Sequence, residues 1–383
     1  MPDKRRSRSS AGSIGLSRCL PASSTGLLHG ATERFDDNWR LADRAAQPKL
    51  IAMTHRQIVL QSLPQGDKLS LSHFALKLAP RPSAGPGEVL LQTRYVSLDA
   101  ANRAWMQGAT YRSALNSGQV MAGGGLAVVV VSHVPHLQAG DLVFADVGWQ
   151  EYAVLPGKNL SKLPDLKPET HLLSVFGIAG LTAYFGLLAC GQPKPGETVV
   201  VSAAAGSVGS IVGQIAKIKG CRVVGIAGGE DKGRWLVDEL GFDAAVDYKS
   251  PDFKRKLRAA VPEGIDVYFD NTGGDVFEAC LFAMKNFGRI ACCGALSQYD
   301  GAPPPHGPRG IPGLIVTKRL NLRGFVVMDF ADQQDQALAD LQAWVADGRL
   351  KVKEDIVEGL ENLPAALIGL LAGENRGKRM VRV

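Results

Sequence analysis

Residues 198–209 read Thr-Val-Val-Val-Ser-Ala-Ala-Ala-Gly-Ser-Val-Gly, an apolar β-run that breaks at Ala203 into small residues and glycines. Ile211, Val212, Ile215, Ala216 and Ile218 then fall on one helical face, which stops at Gly220. The spacing predicts a strand, a phosphate-cradling turn and a helix N-terminus, where orphan N–H groups and the positive helix end attract a pyrophosphate. In this reading Gly206 supplies the sharp turn and Gly209 the close approach of helix to strand. Alanine stands at the first glycine of the usual G-x-G-x-x-G fingerprint, so the motif alone leaves a purely structural glycine turn open.

A second strand at Arg222–Ala227 completes a βαβ unit. In dinucleotide folds an acidic residue about 20 positions past the glycines accepts the ribose hydroxyls, and its charge repels a 2′-phosphate. Here the strand tip reads Ala227-Gly228-Gly229, with Glu230 and Asp231 after it and then Lys232 and Arg234. Tyr248 follows the third β-segment, Ala244–Asp247, within reach of the same phosphate. The pattern favours NADPH over NADH, against the alternative that Lys232 and Arg234 are solvated residues of a surface helix.

At 383 residues with 45% hydrophobic content, the chain is long enough for two domains and a large core. No apolar run approaches the roughly 18 residues of a spanning helix, so a soluble protein without a membrane partner is expected. The longest, Leu126–Val131, reads as a buried strand. The formal charge is +6, of which Lys4, Arg5, Arg6, Arg8 and Arg18 against Asp3 supply +4, so nothing points to nucleic acid. Cys19, Cys190, Cys221, Cys280, Cys292 and Cys293 lack paired metal-ligand spacing, and the pattern suggests reduced thiols in the cytoplasm. His133 and His136 have no thiol or carboxylate partner nearby in sequence, so no metal is expected.

Residues 1–52 are basic and Ser-rich, with little apolar periodicity, and read as a disordered extension, residues upstream of the true start, or, less favoured, a transit peptide. A strand-rich segment follows at 53–172, turns of alternating β and α character occupy 173–347, and 348–383 offers a strand, a short helix and a final strand able to return to the first domain.

From about residue 55 onward the chain resembles the zinc-independent medium-chain dehydrogenase/reductases, in particular the prostaglandin, alkenal and curcumin reductase group. The resemblance rests on "YVSLDAANRAWM" (95–106), "GLTAYFGLLACGQPKPGETVVVSAAAGSVGS" (180–210), "GCRVVGIAGGEDK" (220–232) and "DVYFDNTGG" (266–274). It continues in "CGALSQYD" (293–300), "LRGFVV" (322–327) and "EGLENLPAALIGLLAGENRGK" (358–378). It implies an α/β fold: a Rossmann doubly wound parallel sheet plus a GroES-like β-barrel domain, with the active site between them. Residue by residue it implies Gly206, Ser207, Val208 and Gly209 at the pyrophosphate, Gly228 in the cofactor set, Lys232 and Tyr248 at the 2′-phosphate, and Asn271 at the ribose or the adjoining backbone. Cys293, Gly294, Ser297, Phe325, Val326 and Val327 would flank the nicotinamide, and Asn375 would close over the cofactor. The "LRGFVV" strand resembles the family's dimer-forming edge, which implies a homodimer.

No cysteine lies between positions 20 and 189, so the thiolate set of the zinc-dependent relatives is missing from the first domain. Without a metal, a hydride donor still reduces an enone or alkenal, provided the protein donates hydrogen bonds to the developing enolate. Tyr299 is the expected catalytic donor, with Tyr184 second and as readily a core residue. A quinone reductase and a non-catalytic NADPH-binding protein are the alternatives. The chain departs from the family at Ala100-Ala101-Asn102, where Pro-Tyr-Met is frequent and a wall of the substrate cleft is expected, and at Asp300, where asparagine is common.

Overall fold

In the first lobe, segments of alternating burial bounded by turns pair antiparallel, as expected of a sheet with one dry face. The computed structural model describes residues 53–110, 112–301 and 307–383, so the expected extension before Met53, with Cys19, lies outside the described residues. Strands β1 (Thr54–Leu60) and β2 (Phe74–Pro80) form one antiparallel pair. A larger sheet contains β3 (Glu88–Ser97), β4 (Gly125–Ser132), β5 (Leu142–Ala145) and β6 (Tyr152–Pro156), with β6 on β3. The run Leu126–Val131 is not buried throughout. Leu126, Ala127 and Val129 are buried, whereas Val131 is 41% exposed, because the register with β3 shifts between Leu90 and Leu91 and the bulge at Val130 breaks the alternation there.

The second lobe is a six-stranded parallel sheet ordered β12-β11-β10-β7-β8-β9. Its strands are β7 (Thr198–Ser202), β8 (Arg222–Ala227), β9 (Ala244–Asp247), β10 (Ile265–Asp270), β11 (Met284–Cys292) and β12 (Asn321–Gly324). Helices cover both faces, so every residue of β7 is buried. Val199 and Val201 pack with Ile215, Leu236 and Leu341, while Val200 packs on the other face with Val224, Tyr268 and Leu281. This is the doubly wound arrangement expected of the Rossmann half.

After the parallel sheet the chain forms β13 (Glu354–Glu358) and β14 (Lys378–Arg382). β14 pairs antiparallel with β3, Val381 opposite Val96, so the last strand is built into the first lobe. The intervening helix Leu363–Leu371 joins the same core, where Leu367 and Val381 meet Ile58, Met121 and Trp149. Lys378, 3% exposed, donates to Leu98 O at 3.1 Å and to Asp99 Oδ1 at 2.5 Å. Burial alone would raise the Asp99 carboxyl, but the Lys378 ammonium beside it holds it below its ordinary value.

Glu354 of β13 is tied to the segment connecting the lobes. Its carboxylate accepts from Thr170 Oγ1 at 2.6 Å and His171 Nδ1 at 3.0 Å, and from the Ser174 hydroxyl. Burial works against the charge, yet these donors leave the carboxyl below its ordinary value. A depressed carboxyl contributes stability above its unfolded pKa and loses it as pH falls through the folded one. Glu354→Gln should therefore cost about 2–3 kcal/mol in denaturant unfolding at neutral pH, with the gap to wild type narrowing below about pH 4. An unchanged acid limb would contradict this.

Candidate cofactor and substrate cleft

The turn after β7 bends at a different residue from the one its glycines suggest. Ala203 carries the left-handed conformation, φ 46°, whereas Gly206 is extended at φ −84°, ψ −177° and donates its N–H to Ala203 O at 2.9 Å. Gly209 is required for space, since a Cβ there would lie 2.4 Å from Ala203 O and 2.9 Å from Ala204 Cα. Ser207 and Val208 then open the helix Ser207–Ile218, whose N-terminus no side chain caps. The Ser207 hydroxyl is buried without a hydrogen-bond partner among the described residues. Uncapped N–H groups and an orphaned buried hydroxyl are what an absent phosphate ester leaves behind, so the turn fits a dinucleotide.

The C-terminal segment lies directly over this turn. Gly377 N–H donates to Ala205 O at 2.9 Å, and Asn375, 8% exposed, donates its amide to Gly377 O at 2.8 Å. Lys232, in the short helix Glu230–Arg234, reaches across to Gly373 O at 2.5 Å and Asn375 O at 2.6 Å. Its pKa is lowered by burial first and then by Arg376, Lys249 and Arg379. Such crowding of cations is the electrostatic mark of an anion site. Tyr248, 43% exposed, and Lys249 flank Gly228, where a Cβ would lie 3.0 Å from both side chains. Lys249 and Arg376 were missed in the sequence, although each adjoins a residue that was singled out. Arg234 separates from this group, being exposed and ion-paired with Glu230 and Asp231 of its own helix.

At the C-terminal end of the parallel sheet a buried carboxylate organises two loops. Asp270, 3% exposed, accepts from Tyr268 Oη at 2.6 Å and from the N–H groups of Thr272 and Gly273, both at 3.0 Å. Its carbonyl receives Cys293 N–H at 2.8 Å and Gly294 N–H at 3.1 Å. Asn271 donates its amide to Ser202 O at 2.7 Å, fastening β10 to β7. Ser297 Oγ donates to Thr272 O at 2.7 Å. These contacts bring Asn271, Cys293, Gly294 and Ser297 to one edge, where open parallel sheets bind ligands. Burial pushes the Cys293 thiol up to about 12 and the Cys292 thiol up to about 11, so neither is a thiolate nucleophile. Phe325 turns inward, its ring 6.2 Å from that of Phe269, and Val327 is buried with it. Only Val326, 38% exposed, presents a side chain outward in this segment.

Tyr299 stands on the same loop, half-buried, its phenol oxygen accepting Ala295 N–H at 3.1 Å. That bond fixes the oxygen and leaves the phenolic hydrogen available to donate. Tyr184 does not share this position. Its hydroxyl donates to Asp340 Oδ2 at 2.6 Å, its ring stacks 5.9 Å from Trp344, and burial followed by the Asp340 carboxylate raises its pKa further. Asn102, expected in a wall of the cleft, is instead an internal bracket, 1% exposed, accepting from Asp99 N–H at 2.8 Å and donating to Ala122 O at 3.3 Å.

Residues 56–163 match a family model described as the N-terminal domain of oxidoreductase, and 207–343 one described as zinc-binding dehydrogenase. The chain is 42% identical to NADPH-dependent curcumin reductase of Escherichia coli, across 86% of this chain and 97% of that one. It is 44% identical to prostaglandin reductase 1 of Bos taurus, across 81% and 94%. The crystal structure of CurA in complex with NADPH from Vibrio vulnificus superposes with TM-score 0.82 at 41% identity, covering 86% of this chain and 99% of that one. The donor set does not suit the zinc of the second model's description: among the described residues no three His, Cys, Asp or Glu side chains are grouped to hold an ion. His136 instead lies against Gly157 O and Leu160 O.

The two ends of the phosphate turn should respond oppositely to single methyl changes. Ala203→Gly removes a left-handed alanine and should be neutral or stabilising by up to about 1 kcal/mol, whereas Gly209→Ala, forced against Ala203 O, should cost more than about 2 kcal/mol. Chemical denaturation of both variants checks the signs, and equal effects would contradict the assigned backbone.

Proposed function

The chain belongs to the medium-chain dehydrogenase/reductase family, in the group of prostaglandin, alkenal and curcumin reductases, and from that membership we propose that it reduces the C=C bond of α,β-unsaturated ketones and aldehydes with NADPH. The observation that carries this reading is the placement of the Tyr299 phenol at the sheet edge, beside the loops held by Asp270. When bound, NADPH supplies the hydride for the β-carbon of the substrate. The Ser207–Ile218 helix end and Ser207 Oγ would hold the pyrophosphate, and Lys232, Lys249, Arg376 and Tyr248 would take the 2′-phosphate. Tyr299 donates a hydrogen bond to the carbonyl oxygen as charge develops there, Ala295 N–H keeping the phenol oriented, and a proton from the phenol or from water then adds to the α-carbon of the enolate to give the saturated carbonyl. A neutral donor suffices, because an enolate needs hydrogen bonds more than it needs a cation. No step requires a metal.

β12 closes one end of the parallel sheet with its outer edge unpaired among the described strands, next in sequence to exposed Val326 and Met328. An unpaired edge flanked by apolar residues invites a second copy about a two-fold axis, and we assign a homodimer to it. The described cysteines are free thiols, including the adjacent Cys292 and Cys293, which suits the cytoplasm.

Incubation with NADPH across enones, alkenals and quinones, with products identified, tests the activity: a saturated ketone or aldehyde is expected. Hydroquinone as the sole product would make it a quinone reductase, and no NADPH consumption would make it a binding protein.

Tyr299→Phe should lower kcat for enone reduction at least about tenfold with NADPH affinity preserved; wild-type single-turnover rates would place the donor elsewhere. Lys232→Ala should lower the NADPH/NADH preference roughly 10–100-fold, as expected for a charge-assisted contact, and an unchanged ratio would remove Lys232 from the 2′-phosphate site. Light scattering at micromolar concentration should report a dimer, and a monomer would contradict the edge assignment.

A further inference from the structure

The residue after Tyr299 makes contacts that reach beyond its own lobe. Asp300 Oδ1 accepts Leu69 N–H at 2.8 Å and Arg103 Nε at 3.0 Å, both from the first lobe. Arg103 is 1% exposed and also donates through Nη2 to Asp67 O at 3.2 Å, so its guanidinium is a fixed fitting of that lobe rather than a surface arm. On the other side of Tyr299, Gln298 O accepts Gln107 Nε2 at 3.3 Å, again from the first lobe. The tyrosine is therefore held between two cross-lobe ties while its oxygen is pinned by Ala295 within its own loop.

The geometry points to Asp300 as a positioning residue for Tyr299: its carboxylate, bolted to Arg103 and Leu69 N–H, sets the phenol against the lobe that forms the opposite wall of the cleft. This rests on the assignment of Tyr299 as the donor. Two features support it. The carboxylate is the sole side chain that the described structure sets against the buried Arg103 charge, so the pair is costly to separate. A single carboxylate oxygen takes both bonds, which fixes the loop in direction as well as distance.

The test is a cycle of variants read by single-turnover enone reduction and by NADPH affinity. Asp300→Ala should slow the chemical step roughly 10–100-fold, the range expected when a reacting group is displaced by about an ångström, with NADPH affinity changed less than about twofold. Asp300→Asn should recover most of the rate. In a Tyr299→Phe background Asp300→Ala should add little, because a positioning residue has nothing left to position. Asp300→Ala with Arg103→Leu removes the unpaired buried charge and should still be slow, which separates loss of the tie from misfolding. Wild-type rate in Asp300→Ala while Tyr299→Phe is slow, or fully multiplicative losses in the double variant, would overturn the positioning role and leave the Tyr299 assignment standing. Wild-type rate in Tyr299→Phe itself would overturn both.

Discussion

The N–H of Gly377 donates to the carbonyl of Ala205 at 2.9 Å, joining the strand that closes the first lobe to the phosphate turn of the second. Nearly every feature of the cleft depends on that contact. β14 is fixed in register by β3, so Gly373–Gly377 cannot lie elsewhere, and Lys232 finds its two carbonyl partners only because the segment is there. Glycine is needed at 377, where φ is 68° and a Cβ would lie 2.0 Å from Lys353 O. Two lobes far apart in sequence thus share one wall, made of backbone rather than of adaptable side chains.

A second set of ties runs along the other rim. Asp270 gathers the loops at the end of β10 and β11, and the Tyr299 loop built on them is drawn to the first lobe by Asp300 and Gln298. Hydrogen bonds to charged groups contribute about 1.5–3 kcal/mol each, more than neutral ones, and here they orient the loop that carries Tyr299. The rim proposed for the cofactor phosphate is cationic, while the rim with the phenol holds a buried carboxylate, Asp270, and the paired Arg103 and Asp300. That division suits a reaction in which a polyanion is bound throughout and an oxyanion appears only briefly.

Much of the fold was legible in the sequence because the parallel strands are short apolar runs between glycine and aspartate turns: β8 and β9 begin and end where the residues imply. Local signals also singled out the turn after β7, the loop of Tyr299 and Lys232. They failed where a local motif has more than one physical solution. A glycine-rich turn does not reveal that an alanine takes the left-handed position, and a tyrosine in an apolar helix does not reveal its bond to Asp340. Arg234 and Lys232 are equivalent in sequence, yet one folds back on its own helix and the other crosses to the C-terminal segment. The pairing of Arg103 with Asp300 spans 197 positions and has no signature in either neighbourhood.

The most direct measurement is a crystal structure of the protein with NADPH and a slowly reduced enone. The substrate carbonyl oxygen should lie within about 2.6–3.1 Å of Tyr299 Oη, on the rim tied by Asp300 to Arg103, and the 2′-phosphate among Lys232, Lys249 and Arg376. A carbonyl directed away from Tyr299, with another protein group at hydrogen-bond distance, would contradict this.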